Sequence, residues 1–576
     1  MRTQSHLHQR LTISFWTVIF CFLLVSIRLF YWQVINASSS QTIIDQQSTN
    51  KITIKGKRGS IYTAEGTLLV GNQVAWDIYL NKKELEIGLD ELVNNITNSY
   101  DDFKKDKEFE KSIYFSIEKE EFKNNLQQAV FRESNWIKIF SEIPTKFKSA
   151  ILNHKIVGIH AFETETRYYP ESSMAAHVTG FVGKDHEDKQ VGYFGVEGAL
   201  NKELASQTKT ISYRKDAKGA SFADQELDFS NLDGREVKLT IRRDIQFIVE
   251  KALEEGIKKY DSQSGEIVVM EPSTGAILAI ATWPNYDQTN YSSYLNEAFK
   301  NPTLSNLYEP GSTFKVITLA TGIDMGLITP ETECSKCAGP RTIGRYTINT
   351  WNKEFHPNIT MIEALRKSDN TAMVFVSEMI GAKKFSEYIK NFGISESLNI
   401  DLQEDRDTPF PKNIGPIELA TISFGQGIST NTMQMTRAIS VIANNGMMMK
   451  PYIVSSVYDP QTEETINYSP QELRRVIKPE TAQTISKMMV HSAPNRNNWI
   501  NKNFAVAGKS GTSQIPSESG GYKDSGTIAS YVGFAPADKP KFVMMVKLTE
   551  PQLDQWGATT AVPLWYEIAD KIILLL

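Results

Sequence analysis

The pattern of apolar residues changes twice along the chain and so divides it into three stretches. The first stretch contains an apolar run near the N-terminus. Residues 11–27 are apolar except for four small hydroxyl residues, Thr12, Ser14, Thr17 and Ser26. Arg28 and the apolar and aromatic cluster Leu29–Trp32 follow directly. The run is at the short end for a membrane-spanning helix, but a snorkelling Arg28 and an interfacial cluster extend it to about 22 residues.

This run predicts an uncleaved membrane anchor within residues 1–35 rather than a cleaved signal peptide. The apolar stretch is longer than a usual signal core, and Arg28 would precede any cut near the small residues Asn36–Ser38. Arg2 and Arg10 lie before the run, with no acidic residue among the first ten. We therefore expect a single-pass protein of the cell membrane with a cytoplasmic N-terminus and an extracytoplasmic catalytic region.

The second stretch, residues 36–235, mixes strand and helix patterns. Residues 58–62 and 66–70 read as a strand, a turn and a strand, and residues 157–167 as another strand. The charged segment 84–155 is rich in Lys and Glu and predicts a solvated helical subdomain. A further helix is expected from Gly192 to about Leu204.

The third stretch, residues 236–576, predicts a sheet flanked by helices. A strand over 237–241 leads to a helix over 245–258 that Asp244 would cap. Alternating or apolar runs predict two hairpins, 265–271 with 276–282 and 528–535 with 541–548, and an amphipathic helix closes the chain over 564–576. A long helical insert separates the hairpins. The fold class is therefore α+β, with an antiparallel sheet.

Composition and charge limit the classes of function that the chain can have. Lys and Arg number 62 against 67 Asp and Glu, for a net charge of -5, so no basic excess supports a nucleic-acid partner. Cys334 and Cys337 form a C-x-x-C that fits a disulfide, half of a metal site or two thiols. His356 is a third candidate ligand, but no fourth suggests itself, so we expect neither a metal nor a cofactor.

The segment Glu309–Lys315 carries the first candidate chemistry. Pro310 and Gly311 interrupt the chain, and an apolar-periodic run follows, which predicts a helix with Ser312 in its first turn. Ser312 and Lys315 are three residues apart and share a helix face. A desolvated lysine amine can take the proton of a serine hydroxyl and make it a nucleophile.

Two further motifs support this assignment. Ser368-Asp369-Asn370 follows a helical pattern and is expected on a loop. Lys509-Ser510-Gly511-Thr512 lies in a small-residue strand over 505–514. Together with Ser-x-x-Lys they match the Ser-Asp-Asn and Lys-Thr-Gly set of penicillin-binding proteins and class A β-lactamases, with Ser510 in place of the threonine.

Over nearly its whole length the chain resembles class B penicillin-binding proteins, which are peptidoglycan D,D-transpeptidases. Motifs outside the catalytic set are also similar to that class: Arg58-Gly59-x-Ile61-Tyr62, Arg167-x-Tyr169-Pro170, Gly195-x-Glu197, Gly425-Gln426-Gly427 and Tyr531 to Pro536. The resemblance implies an N-terminal membrane helix in 1–35, an elongated dimerisation-type pedestal in 36–235 and a serine β-lactamase-like transpeptidase domain in 236–576.

The resemblance also implies roles for the residues of the first two motifs. Ser312 would attack the penultimate D-alanine carbonyl of a stem peptide, with Lys315 as proton acceptor. Ser368 would relay a proton to the leaving amine, and Asn370 would hold Lys315 and the substrate amide. Asp369 is expected to cap the loop rather than to react.

The Lys509 strand would bind the substrate. Lys509 would place a positive charge beside its terminal carboxylate, to which Ser510 and Thr512 would hydrogen-bond. Gly511 would leave room for the acyl group. By resemblance, the backbone N–H groups of Ser312 and Thr512 would form the oxyanion hole.

The implied ligands are stem peptides ending in D-alanyl-D-alanine and the β-lactams that mimic them. The N-terminal region lacks glycosyltransferase motifs, and the resemblance implies a polytopic membrane glycosyltransferase as partner. Three alternatives remain: a serine β-lactamase, a D-alanyl-D-alanine carboxypeptidase, and a membrane-anchored β-lactam sensor or non-catalytic wall-synthesis scaffold. Glu396 and Asn399 superficially resemble the water-activating pair of class A β-lactamases, but they are one residue too close.

Overall fold

The computed structural model describes residues 2–36, 49–98, 100, 104, 117–186, 189–215, 221–222, 231–494, 504–517 and 521–576. The chain forms two compact units. One comprises Met1–Gly56 and Ser206–Asp233, and the other comprises Lys57–Ala205 and Gly234–Leu576.

The first unit contains the apolar N-terminal helix and a small sheet. The helix runs over Arg2–Phe30 and continues as a π-helical turn over Tyr31–Ile35. Its segment His8–Ile35 is long and apolar enough to cross a membrane, and its side chains are exposed. The helical segment thus continues past Arg28 to Ile35, and the Arg28 guanidinium lies 5.5 Å from the Trp32 ring centroid. The sheet has three antiparallel strands, Thr49–Lys55, Thr208–Lys215 and Ser221–Phe222.

In the second unit, residues 57–205 combine a sheet with helices. The predicted strands are present, as Ile61–Tyr62, Leu68–Asn81 and Ile159–Tyr168. Three helices cover a core around Ile78 and Leu80, namely Leu89–Asn98, Lys119–Val130 and Thr145–Asn153. The prediction of a solvated helical subdomain over 84–155 is wrong at Trp136–Ile143, which pairs with Leu68–Asn81 as a strand. Ile137 and Ile139 alternate with polar neighbours, and sheet pairing buries that face.

Arg58, Arg167 and Glu197, from three separate motifs of this region, meet in a buried cluster. Arg167 Nε donates to Glu197 Oε1 at 2.7 Å, and Arg58 Nε donates to Glu197 Oε2 at 2.8 Å. The carboxylate is fully buried, so both of its oxygens depend on these guanidiniums. The expected helix over 192–204 is split into Gly195–Ala199 and Asn201–Leu204 and preceded by the strand Gln190–Tyr193, which pairs with Phe181–Lys184. A short helix, Ala176–Thr179, precedes that hairpin.

A five-stranded antiparallel sheet organises residues 264–576. In spatial order its strands are Ile277–Trp283, Ser264–Met270, Phe542–Thr549, Tyr522–Ala535 and Ala507–Pro516. Both predicted hairpins are confirmed. The helices Arg243–Tyr260 and Ala561–Ile572 share an apolar core with one face of the sheet. The prediction that Asp244 is the N-cap is wrong by two residues, since Arg242 holds that position and Asp244 lies in the first turn.

The insert between the hairpins is mainly helical and contributes a second core on the other face of the sheet. Its longer helices are Lys315–Asp324, Met361–Lys367, Asn370–Ile380, Ala382–Asn391, Pro416–Ser423, Thr432–Ala443 and Pro479–Ser492. Shorter helices are Gln288–Ser293, Asn296–Phe299, Pro302–Ser305 and Gly311–Phe314. A small hairpin pairs Arg341–Ile343 with Tyr346–Ile348, and a second antiparallel pair joins Met447–Met449 to Glu472–Arg475.

The strand Glu236–Leu239 joins the two parts of the second unit. It pairs in parallel with Ile61–Tyr62 and antiparallel with Val454–Asp459, which in turn pairs with Glu464–Asn467. One continuous sheet therefore contains strands from both sides of residue 236.

Candidate active site

Ser312 lies in a tight turn at the start of a buried helix. Gly311–Phe314 is a 3₁₀-helix, and the α-helix Lys315–Asp324 follows without a break. The Gly311 backbone has φ +55°, a conformation that glycine adopts without steric cost. The backbone N–H of Gly311 donates to Gly425 O at 3.0 Å, so the Gly-Gln-Gly segment supports the turn that carries Ser312.

The side chain of Lys315 is fully buried and makes three hydrogen bonds. Its Nζ donates to the backbone oxygen of Ser368 at 2.6 Å, to Asn370 Oδ1 at 2.7 Å and to Ser368 Oγ at 3.1 Å. Ser368 Oγ in turn donates to Ser312 Oγ at 2.9 Å. The structure thus places Ser368 between the predicted nucleophile and the predicted base, rather than bonding Lys315 directly to Ser312.

Backbone geometry brings Ser368 into this position. Ser368 ends the helix Met361–Lys367 in the left-handed conformation, with φ 57°, and Asp369 then caps the helix Asn370–Ile380. Asn370 is anchored from its other end, because its Nδ2 donates to Asn349 O at 2.8 Å. The loop predicted from sequence is therefore a junction of two helices that projects Ser368 and Asn370 towards Lys315.

The strand Ala507–Pro516 lies against the turn that carries Ser312. A Cβ atom on Gly511 would meet Thr313 Cγ2 at 3.0 Å, so the close approach of strand and turn depends on a glycine at this position. Lys509 and Gly511 lie on the buried face of the strand, whereas Ser510 and Thr512 are half-buried on the opposite face. Thr512 Oγ1 accepts a hydrogen bond from Gly557 N at 3.0 Å, which leaves its own proton available to a ligand.

The two lysines of the site have lowered pKa values. Burial lowers the pKa of Lys315 well below its usual range, and the positive charge of Lys509 adds to the effect, while the Asp369 carboxylate opposes it. Burial alone lowers the pKa of Lys509 to about 8. Near neutral pH, Lys315 can therefore be a neutral amine while Lys509 still carries its positive charge.

Three features of the site were not predicted from sequence. Glu309 accepts hydrogen bonds from Gly427 N at 2.8 Å and from the Tyr522 hydroxyl at 2.9 Å, so it links the Gly-Gln-Gly segment to the first residue of the strand Tyr522–Ala535. Its position directly before the Pro310–Lys315 motif was the available signal. Trp351 and Trp556 form an edge-to-face pair with ring centroids 5.3 Å apart. Gly557 contacts Thr512, and no local pattern indicates this.

Cys334 and Cys337 form a disulfide, which decides between the three interpretations of that C-x-x-C. His356 does not join them; its Nδ1 lies 3.7 Å from Asp369 Oδ2. Within the described part of the chain, no cluster of three or more His, Cys, Asp or Glu side chains could hold a metal ion.

Comparison with known proteins agrees with the geometry. Residues 265–570 match the penicillin binding protein transpeptidase domain, and residues 53–239 match the penicillin-binding protein dimerisation domain. The chain is 29% identical to the stage V sporulation protein D of Bacillus subtilis, over 94% of this chain and 82% of that relative. It is 27% identical to the peptidoglycan D,D-transpeptidase FtsI of Escherichia coli K12, over 73% of this chain and 69% of that protein.

Solved structures show the same fold. Penicillin binding protein 2X of Streptococcus thermophilus superposes with a TM-score of 0.70 at 21% identity, covering 91% of this chain and 79% of that one. Penicillin binding protein 3 of Mycobacterium tuberculosis, in complex with aztreonam, gives a TM-score of 0.67 at 20% identity, with 91% and 97% of the two chains covered. The α+β architecture with a pedestal is therefore confirmed.

Proposed function

Because the chain belongs to the penicillin-binding protein transpeptidase family, we propose that it is a peptidoglycan D,D-transpeptidase whose acyl-enzyme forms on Ser312. The observation that carries this proposal is the continuous hydrogen-bonded path from Ser312 Oγ through Ser368 Oγ to the buried Nζ of Lys315. Such a path lets a weakly nucleophilic hydroxyl lose its proton as it attacks.

In the acylation step, Ser312 Oγ attacks the carbonyl carbon of the penultimate D-alanine. When Lys315 is neutral, both hydroxyl groups turn and the two hydrogen bonds of this path reverse their donors. The Ser312 proton then passes to Ser368 Oγ, whose own proton passes to Lys315 Nζ. The two shorter hydrogen bonds of Lys315, to Ser368 O and Asn370 Oδ1, account for the two N–H groups of a neutral amine. Its lone pair then points along the longer contact, where it accepts the relayed proton.

Collapse of the tetrahedral intermediate breaks the peptide C–N bond. The protonated Lys315 returns its proton through Ser368 to the leaving amine, and D-alanine departs. The amine of a second stem peptide then attacks the Ser312 ester and gives a proton to Lys315 through Ser368. The ester C–O bond breaks as the amide bond forms, and the serine oxygen takes that proton back along the same path. The backbone N–H groups of Ser312 and Thr512 are proposed to stabilise the oxyanion, a contribution of about 3–4 kcal/mol for each donor.

The Lys509 strand is proposed to bind the substrate carboxylate. The strand lies at the edge of the five-stranded sheet. A carboxylate bound at that edge would lie near the Lys509 charge on the buried face and near the Ser510 and Thr512 hydroxyls on the other face. A carboxylate bound here keeps hydrogen-bond partners after it leaves water, which avoids a penalty of several kcal/mol. β-Lactams present an equivalent carboxylate and are expected to acylate Ser312.

A labelling experiment followed by a transfer assay tests this function. Fluorescent penicillin should label the detergent-solubilised full chain stably, and Ser312→Ala should abolish the label. A D-alanyl-D-alanine donor peptide incubated with an amine acceptor should then yield the cross-linked amide. Ser377, a buried serine outside the site, provides a control in Ser377→Ala, which should label normally.

The same experiment distinguishes the alternatives. Rapid loss of label would indicate a β-lactamase; release of D-alanine with water as the only acceptor would indicate a carboxypeptidase. Stable labelling without any transfer would indicate a sensor or scaffold. The contacts of Glu396 do not favour hydrolysis, because its carboxylate pairs with Arg474 and its backbone oxygen accepts from Gln434.

The membrane placement and the partner belong to the same proposal. Residues 1–35 are proposed to anchor the chain with the N-terminus in the cytoplasm, residues 36–235 to form the pedestal and residues 236–576 the transpeptidase domain. We also propose that the chain supplies only cross-linking and works with a polytopic membrane glycosyltransferase as the polymerising partner. To test that partnership, complexes are captured from detergent extracts through this chain and assayed for glycan polymerisation. Complexes captured with the full chain should polymerise glycan, and those captured with a chain lacking residues 1–35 should not.

A further inference from the structure

His356 and Asp369 face each other with two unsatisfied polar atoms. Nδ1 of His356 and Oδ2 of Asp369 are 3.7 Å apart. Each is buried and has no hydrogen-bond partner among the residues that the structure describes. An unpaired buried acceptor costs about 1–3 kcal/mol, and more when it is charged, so the two atoms are natural partners.

The other oxygen of Asp369 fixes the carboxylate in place. Oδ1 accepts from the Thr371 N–H at 2.8 Å, the Thr371 hydroxyl at 2.7 Å and the Ala372 N–H at 3.1 Å. These bonds cap the helix Asn370–Ile380, which carries Asn370 into the site. They leave Oδ2 free to take one further donor.

His356 is held within reach of that oxygen by its loop. Its backbone oxygen accepts from Ile359 N at 3.2 Å, and Ile359 O accepts from Cys334 N at 2.9 Å, beside the disulfide. The His356 side chain is 27% exposed, whereas that of Asp369 is 1% exposed. A movement of about 1 Å brings Nδ1–H to hydrogen-bonding distance of Oδ2.

The carboxylate of Asp369 also acts on Lys315. Two charged groups from separate elements influence the Lys315 amine: Lys509, from the strand, lowers its pKa, and Asp369, from the helix cap, raises it. A donor on Asp369 Oδ2 would weaken the second influence. The pairing would therefore favour the neutral amine that the proposed mechanism requires.

We propose that His356 is a positioning residue of the acylation step, which holds Asp369 through its Nδ1–H and balances the carboxylate charge beside the Lys315 amine. It acts through Asp369 and touches neither Ser312 nor the substrate. The inference rests on the proposed role of Lys315 as the base. It also gives the aspartate between Ser368 and Asn370 a function besides capping.

The test is the pH dependence of acylation by fluorescent penicillin in the full-length protein. His356→Ala should move the acid limb of the second-order rate constant to higher pH by about half to one unit, a three- to tenfold loss at pH 6. Asp369→Asn, whose amide oxygen can still cap the helix, should move the limb to lower pH. The double variant should follow Asp369→Asn, because His356 would have lost its target.

His356→Gln offers a neutral donor and should recover part of the shift caused by His356→Ala. The inference would be overturned if His356→Ala lowered the maximal acylation rate without moving the midpoint of the acid limb. It would also be overturned if His356→Ala reduced the acylation rate equally in the wild-type and Asp369→Asn backgrounds. If His356→Ala does not fold, Asp369→Asn decides, and an unchanged midpoint in that variant has the same consequence.

Lys315→Ala separates this inference from the proposed function. Wild-type acylation by Lys315→Ala would overturn the proposed base itself. Loss of acylation in Lys315→Ala, together with unshifted limbs in the His356 and Asp369 variants, would overturn the role of His356 alone.

Discussion

Ser368 Oγ lies 2.9 Å from Ser312 Oγ and 3.1 Å from Lys315 Nζ, and so connects the two. Ser368→Ala should reduce the second-order rate constant of penicillin acylation about 10²- to 10⁴-fold, the usual contribution of a proton-transfer group. The thermal unfolding midpoint should change little, because the backbone oxygen of Ser368 still accepts from Lys315. A rate within threefold of wild type would show that protons reach Lys315 without Ser368.

The two lysines predict a bell-shaped pH profile for acylation. The rate should rise with pH as Lys315 becomes neutral, which its lowered pKa permits near neutral pH. It should fall as pH passes about 8, where Lys509 loses its charge. Lys509→Arg keeps the charge at higher pH and should move the alkaline limb up by more than one unit, with a lower maximum because the two cations differ in shape. An alkaline limb unchanged in Lys509→Arg would assign it to another group.

Gly425 supports the turn that carries Ser312. Its φ is +82°, and a Cβ atom there would collide with the backbone oxygen of Gly311. Gly425→Ala should therefore displace the turn and slow acylation by about 100-fold, as expected for a misplaced nucleophile. Gly339→Ala is the matched control, since a Cβ there meets no atom within 4 Å. Similar acylation rates in the two variants would argue against this support.

Glu197 is the shared partner of two buried guanidiniums. Glu197→Gln leaves Arg58 and Arg167 without their counter-charge and should lower the free energy of unfolding by about 3–5 kcal/mol. Urea unfolding followed by tryptophan fluorescence would measure the loss. The exposed Glu163 provides a control, and Glu163→Gln should remain within about 0.5 kcal/mol of wild type.

The disulfide between Cys334 and Cys337 can be counted chemically. Denatured but unreduced protein should show a single reactive thiol, that of Cys21, and three after reduction. Replacing both bridged cysteines by serine should lower the free energy of unfolding by about 2 kcal/mol, the loop-entropy value for so short a loop. Three thiols before reduction would contradict the bridge, and Cys21→Ser confirms which thiol is free.

Local patterns in the sequence predict most of the elements that build the site. The turn at Pro310–Gly311, the strand around Lys509 and both hairpins follow from short-range periodicity and turn residues. The helical prediction fails at Trp136–Ile143 because its neighbours are rich in Lys and Glu, whereas pairing with a distant strand decides its conformation.

Short-range sequence patterns do not predict how residues that are distant in the chain are arranged in the site. Ser-x-x-Lys spacing places Lys315 on the same face as Ser312, but the position of Ser368 between them depends on the left-handed turn at its own backbone. His356 is a candidate metal ligand from sequence because it follows a C-x-x-C. Its approach to Asp369 results from how the loop folds back on the helix, which no spacing in the chain encodes.

The parallel pairing of Glu236–Leu239 with Ile61–Tyr62 has a practical consequence for the design of truncated forms. A form that begins at residue 236 would remove the neighbour of its own first strand and leave unpaired amide and carbonyl groups along that edge, where other chains could pair. Soluble versions intended for crystallisation or inhibitor screening should therefore retain the residues around Ile61 together with residues 236–576.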